Sequence, residues 1–255
     1  MEKTTPEKER LMTNEQTIEK LYDLKLGAMA EALREMLSRP DSGGLSFAER
    51  MGLLVDREWT RREENRLERR LKAARLKVPA SVEEVDLRTP RGLDREVFLS
   101  LVGGDYLRHH HNLIISGATG LGKTYLACAL ADKACRDGLT ARYYRLPRLS
   151  FELALARADG SYLKLLGTLA KVDLLILDDW GLAPLEGQAQ HDLLEVIDDR
   201  TQNRSTLVAS QVPASGWHQL LADPTVADAV LDRLVHNAVR IELKGGSMRK
   251  KTRES

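Results

Sequence analysis

Two patterns of apolar spacing divide this chain. In the first, apolar residues recur at helical intervals: Ile18, Leu21, Tyr22, Leu26, Met29, Leu33, Met36 and Leu37. Thr13 and Gln16 form a capping box that opens this predicted helix, and Arg39-Pro40-Asp41-Ser42-Gly43-Gly44 stops it. Ser46 and Glu49 form a second box, opening a helix that runs to about Leu76 before Val78-Pro79 ends it. A short helix over residues 95–101 completes an all-helical region, taken as residues 1–101. From Asn112 the pattern changes. Short apolar runs at residues 113–116, 141–145, 172–177, 207–210 and 239–243 read as strands, and between them lie helical stretches at 124–137, 149–158, 162–169, 189–201 and 227–237. This alternation predicts an α/β domain over residues 102–255, with a parallel five-stranded sheet covered by helices on both faces.

Two of these predicted strands end in chemistry. After Leu113-Ile114-Ile115 comes Gly117-Ala118-Thr119-Gly120-Leu121-Gly122-Lys123-Thr124, a complete G-x-x-x-x-G-K-[ST] loop that leads into Leu126-Ala127-Cys128-Ala129-Leu130-Ala131. Glycines let backbone N–H groups wrap an anion, and the helix that starts there turns its positive end towards it. Lys123 is placed for the β- and γ-phosphates and Thr124 for Mg2+. A plain glycine turn would not need both strand and helix at these positions. The run Leu174-Leu175-Ile176-Leu177-Asp178-Asp179 is an apolar strand ending in carboxylates, the Walker B arrangement. Asp178 is expected to hold the metal and Asp179 to orient and activate the attacking water. The pair of motifs implies a protein that binds and hydrolyses a nucleoside triphosphate with Mg2+.

Charge adds less than its placement. Lys and Arg number 39 against 38 Asp and Glu, a net charge of +1 that selects no partner. Yet Arg62, Arg66, Arg69 and Arg70 fall on one broad helix face, where they either track DNA phosphates or form a mixed-charge solvated surface. Trp59, Leu67, Leu71 and Ala74 supply its narrower apolar face. A second candidate DNA surface is Arg142-Tyr143-Tyr144-Arg145-Leu146-Pro147-Arg148, in which Tyr143, Arg145 and Arg148 are the chosen contacts. The alternative for its tyrosines is a place in the sheet core. Cys128 and Cys135 fit no metal or redox spacing and are expected to pack in the core. His109-His110-His111 is expected to be a solvated turn. A polar N-terminus and the lack of a bilayer-length apolar run predict a cytoplasmic protein with no membrane partner.

The chain resembles AAA+ ATPases of the helicase-loader-like group, and within it the IstB transposition helpers, partners of a bacterial insertion-sequence transposase. The most specific stretch is Arg204-Ser205-Thr206-Leu207-Val208-Ala209-Ser210-Gln211-Val212-Pro213, followed by Trp217-His218, Asp223-Pro224-Thr225, Leu231-Asp232-Arg233-Leu234-Val235-His236-Asn237-Ala238 and Gly245-Gly246-Ser247-Met248-Arg249. The resemblance implies that Gln211, or Ser210 beside it, is the sensor leaving the fourth strand. It implies that Arg233 is an arginine finger acting on a neighbouring subunit, with a surface ion pair to Asp228 or Asp232 as the alternative. Arg249 matches a second sensor arginine, and the helical lid common in AAA+ proteins is minimal or absent. Asp179 stands where such enzymes usually have Glu. Implied partners are duplex DNA with little sequence preference, a cognate transposase, and further copies of the chain in an ATP-bridged homo-oligomer. A helicase loader of the DnaC type and, from another class, a small-molecule P-loop kinase are the alternatives.

Overall fold

The computed structural model describes residues 6–38 and 44–248, with side chains from Thr13 onward. They form two compact units that divide between Glu68 and Arg69, so residues 69–101, expected to belong to the helical region, are part of the second unit.

The first unit holds α1 (Pro6–Asp23), α2 (Gly27–Ser38) and most of α3 (Phe47–Ala74). The single helix expected from Thr13 onward is two helices, and Thr13 and Gln16 lie inside α1 rather than capping it. The break is a left-handed closure at Lys25 (φ 59°), with Lys25 N–H donating to Tyr22 O and Leu26 N–H to Leu21 O, each at 2.8 Å. The predicted stop at Arg39 to Gly43 lies outside the described residues. The buried Glu58 of α3 accepts from Ala28 N–H and Met29 N–H, satisfying the first free donors of α2 at 3.0 and 3.2 Å. The Ser46–Glu49 capping box forms as expected: Ser46 N–H donates to Glu49 Oε2 at 2.7 Å, and Glu49 N–H to Ser46 Oγ at 3.3 Å. Trp59 is not a packing residue; it is 64% exposed. α3 ends where Arg75 turns left-handed (φ 51°).

In the second unit, α4 (Arg95–Val102) is capped by Asp94, which accepts from Glu96 N–H and Val97 N–H. A short α5 (Asp105–Arg108) follows, and His109 and His110 form the turn into β1 (Leu113–Gly117). Then come α6 (Lys123–Arg136), β2 (Ala141–Arg145), α7 (Leu146–Ala158), α8 (Tyr162–Lys171), β3 (Leu174–Trp180), α9 (Gln188–Arg200) and β4 (Ser205–Ser210). A 3-10 helix (Ala214–Leu220), α10 (Pro224–Val235) and β5 (Val239–Leu243) complete the order, with described residues 244–248 beyond it. α7 starts earlier than expected because Pro147, which has no N–H to lose, fits its first turn.

All five strands are parallel, in the order β2-β3-β4-β1-β5. Leu113, Ile115, Leu174 to Leu177 and Leu207 to Ala209 have no accessible surface, which explains apolar runs without alternation in strands covered on both faces. Asn112 ties the sheet to α10: its amide donates to Arg233 O at 2.9 Å and to Asn237 Oδ1 at 3.2 Å, while its carbonyl accepts from Thr206 N–H at 2.9 Å. The buried Arg200 at the end of α9 donates to Leu169 O, Val172 O, Ser205 O and Thr206 Oγ1, closing off one end of the sheet. Both cysteines are buried, and burial pushes the Cys135 thiol up to about 11. Among the described residues no helix is long and apolar enough to cross a membrane.

Candidate nucleotide-binding site

The two motifs meet at the C-terminal ends of β1 and β3, where parallel sheets place their ligand crevices. Gly117 leaves β1 at φ 142° with the Leu243 carbonyl against the position a Cβ would take, and Gly122 caps α6 at φ 88° with the Arg91 guanidinium packed on it. A side chain at Gly117 would meet backbone, and one at Gly122 would strain a left-handed conformation. The loop is braced from outside: Arg91 Nη1 donates to Leu121 O, and Met248 N–H donates to Gly120 O, both at 2.8 Å. Leu121 itself is buried. The Lys123 ammonium donates to Gly117 O at 2.5 Å and Ala118 O at 2.9 Å.

A cavity of about 610 Å³ opens beside the loop, lined by Thr119, Gly120, Gly122, Lys123, Thr124, Asp178, Asp179 and Gln211. The motif residues expected to act together thus face one space large enough for a nucleotide. Thr124 Oγ1 donates to Asp178 Oδ2 at 2.7 Å. These two oxygens, one on the first turn of α6 and one at the exit of β3, suit Mg2+, a hard cation that takes oxygen ligands. The backbone of α6 leaves its first N–H groups facing the same space, which suits phosphate. ATP and Mg2+ therefore fit the residues present.

β2 contributes more to this site than its sequence suggested. It pairs with β3 so that Arg145 lies opposite Asp178 and Tyr143 opposite Ile176. The Tyr143 hydroxyl donates to Asp178 Oδ2 at 2.7 Å, and Arg145 Nε binds Asp179 Oδ2. Tyr143, chosen as a DNA contact, is 7% exposed and cannot stack on a base; burial, together with the Asp178 carboxylate, drives its phenol well above the usual range. Tyr144 is equally a core residue. Asp179 sits in the left-handed region (φ 59°), and its N–H donates to Asp178 Oδ1 at 2.9 Å. β3 shifts register between Leu177 and Trp180, so adjacent carboxylates reach one cavity although a regular strand would point them to opposite faces.

At the exit of β4, Gln211 Oε1 accepts from Thr119 Oγ1 at 2.8 Å, whereas Ser210 is fully buried and donates to Trp180 O. Of the two sensor candidates, Gln211 faces the nucleotide cavity. Arg233 stands away from it, paired with Asp198 of α9 at 2.5 Å rather than with Asp228 or Asp232. Arg249 lies outside the described residues. Among the expected DNA contacts, Arg62 is bonded to Glu58 and Lys25 O, Arg66 to Glu63, and Arg148 to Glu152. Arg70 anchors the end of α3 by donating to Cys135 O at 2.8 Å, and Arg69 remains on the exposed side of that helix.

Several site residues were not visible in the sequence. Lys77, Glu84, Arg91 and Tyr125 line the cavity, with the Tyr125 hydroxyl donating to Glu84 at 3.0 Å. The first three lie in a segment without strand or helix pattern. Only the strict alternation Tyr143, Arg145 carried a signal, because residues two apart on a strand share a face.

Comparison with known proteins agrees with this geometry. The family described as IstB-like ATP binding protein matches residues 19–255. An insertion sequence ATP-binding protein of Sinorhizobium fredii is 53% identical over 237 residues, which is 93% of this chain and 97% of the relative. The crystal structure of DnaI superposes with a TM-score of 0.57 at 22% identity, over 66% of this chain and 96% of that one. The DnaC helicase loader gives a TM-score of 0.57 at 19% identity, over 65% and 97% of the two chains. These likenesses are of fold, that of AAA+ P-loop ATPases. With its phosphate loop and metal-side carboxylates meeting in one cavity, and a family match running from Glu19 to the last residue, the chain belongs to the IstB-like ATP-binding proteins of insertion sequences.

Proposed function

We propose that this protein is an ATP-hydrolysing transposition helper that assembles on duplex target DNA as an ATP-bridged homo-oligomer. It recruits and stimulates the cognate transposase, and hydrolysis releases the assembly. One observation carries the ATPase half of the reading: Lys123, Thr124, Asp178, Asp179 and Gln211, from three separate strand ends, converge on one cavity. The DNA and transposase half rests on family membership and on the relatives' names as insertion sequence proteins.

Each residue then has a task. The Lys123 ammonium turns from the Gly117 and Ala118 carbonyls to the β- and γ-phosphates. Thr124 and Asp178 would hold Mg2+, which when bound offsets phosphate charge. Tyr143 fixes the Asp178 carboxylate. Asp179 takes a proton from the attacking water, and Gln211 positions that water or the γ-phosphate. Arg233, and in the tail Arg249, are the arginines assigned to phosphate charge, Arg233 in the neighbouring subunit's site. Arg62, Arg66 and Arg69, with Arg148 on α7, are the DNA phosphate contacts.

The likeness to the DnaC helicase loader favours one second reading, a replicative loader on single-stranded DNA. Electron microscopy and phosphate-release assays with each DNA form decide between them. Ordered multimers on duplex DNA with a non-hydrolysable ATP analogue, and DNA-dependent phosphate release absent in Lys123→Ala, are expected. Assembly only on single strands would favour the loader, and unchanged ATP affinity in Lys123→Ala would end the ATPase reading.

A further inference from the structure

The segment between α3 and α4 walls the nucleotide cavity and is pinned to it at three points. Arg75 ends α3, so Lys77 leaves the basic helix face instead of extending it. Its ammonium lies 3.9 Å from Asp178 Oδ2. Farther along, Glu84 meets the Tyr125 hydroxyl and Arg91 meets Leu121 O. Of these three pins, only the first touches an oxygen expected to hold the metal.

Asp178 has an electrostatic problem that Lys77 is placed to solve. The carboxylate is 2% exposed, and Thr124, Tyr143 and the Asp179 N–H reach it as neutral donors. A buried carboxylate repels an incoming polyphosphate at short range, where little water screens the charge. Lys77 comes from outside both nucleotide motifs and brings a full positive charge to the same oxygen. Its side chain is 43% exposed and carried on a flexible stem, so it can swing outwards at little cost. A divalent ion at Thr124 and Asp178 would repel an ammonium at that distance and take over its role. We propose that Lys77 is a removable counter-charge of the nucleotide site. It neutralises Asp178 while the metal is absent, permits metal-free nucleotide binding, and yields the Oδ2 oxygen when the metal arrives. This inference rests on the nucleotide reading above.

The test is calorimetric titration of ATP and of ADP into the full chain, in excess Mg2+ and in excess EDTA, for the parent, Lys77→Gln and Lys77→Arg. Lys77→Gln should weaken metal-free binding by about tenfold, a modest share of what an unscreened charge pair gives. Binding in excess Mg2+ should stay equal or tighten, and less Mg2+ should be needed for half-maximal binding. Lys77→Arg keeps the charge and should keep the parent's ratio of affinities. Equal weakening in both conditions would overturn the proposal, since Lys77 would then be an ordinary phosphate ligand or a fold contact. Unchanged binding in both would overturn it too. A parent that binds no nucleotide under either condition would instead bring down the nucleotide reading, and this inference with it.

Discussion

Tyr143 and Arg145 show how single residues divide the labour at this site. One hydroxyl orients the metal-side carboxylate, and one guanidinium holds the carboxylate assigned to the water. Asp179→Asn should leave ATP binding intact and lower turnover by about 100-fold, the usual worth of a positioned general base, as single-turnover phosphate release would show. Arg145→Ala should act in the opposite direction. Arg145 Nε competes with the water for the Asp179 carboxylate, so its removal should raise turnover about 3- to 10-fold with nucleotide affinity unchanged. A fall in turnover would mean that Arg145 positions Asp179 rather than restrains it. The motif residues were legible because each motif is contiguous and its flanking strand and helix are written beside it. The roles of Tyr143 and Arg145 were not, because they depend on the register of β2 against β3, and nothing local encodes that pairing.

Elements were legible where their ends carry a local device. The Ser46–Glu49 box marked the start of α3 correctly. The break between α1 and α2 was hidden because a lysine, not a glycine, takes the left-handed position at Lys25. Arg200 is a device of the opposite kind, joining the end of α9 to carbonyls near the end of α8, just before β3 and at the start of β4 through bonds no pattern foretells. Arg200→Met should destabilise the protein by at least about 3 kcal/mol in urea unfolding, because each buried acceptor left without a donor costs about 1–3 kcal/mol. A loss below about 1 kcal/mol would mean that water satisfies those acceptors. On α3, replacing Arg62, Arg66 and Arg69 with Gln should weaken binding to all duplex sequences alike. The log–log salt slope should fall by about one unit for each DNA phosphate that is no longer neutralised. Arg70 is left in place because it anchors the helix end. An unchanged slope would move the DNA surface to Arg148 and its surroundings.

For the whole molecule, the sequence pattern placed a boundary near Leu101, where composition changes, but compactness places it at Glu68. Part of the difference is the wall of the cavity: residues 77–91 have no periodic pattern yet pack within the second unit through Arg91 and Lys77. Arg233 belongs to this scale as well, since within one chain it pairs with Asp198 and does not line the cavity. Arg233→Ala should bind ATP normally yet lose about 1,000-fold or more in turnover if the guanidinium acts on a neighbour. Mixing it with Lys123→Ala should restore partial activity, because some interfaces then join an intact loop to an intact finger. Proven co-assembly with no recovery would count against action between subunits.

The bracing of the phosphate loop has a consequence for transplantation. Arg91 comes from the segment before β1 and Met248 from beyond β5, so chain that precedes and chain that follows the sheet in sequence hold the loop in shape. The motif is local in sequence, but its conformation is a property of the folded unit. A peptide carrying residues 117–124, or the same stretch grafted between a foreign strand and helix, lacks both braces. It would give up about 1–2 kcal/mol of backbone freedom per residue each time it closed on a phosphate. The intact protein has already met that cost by folding.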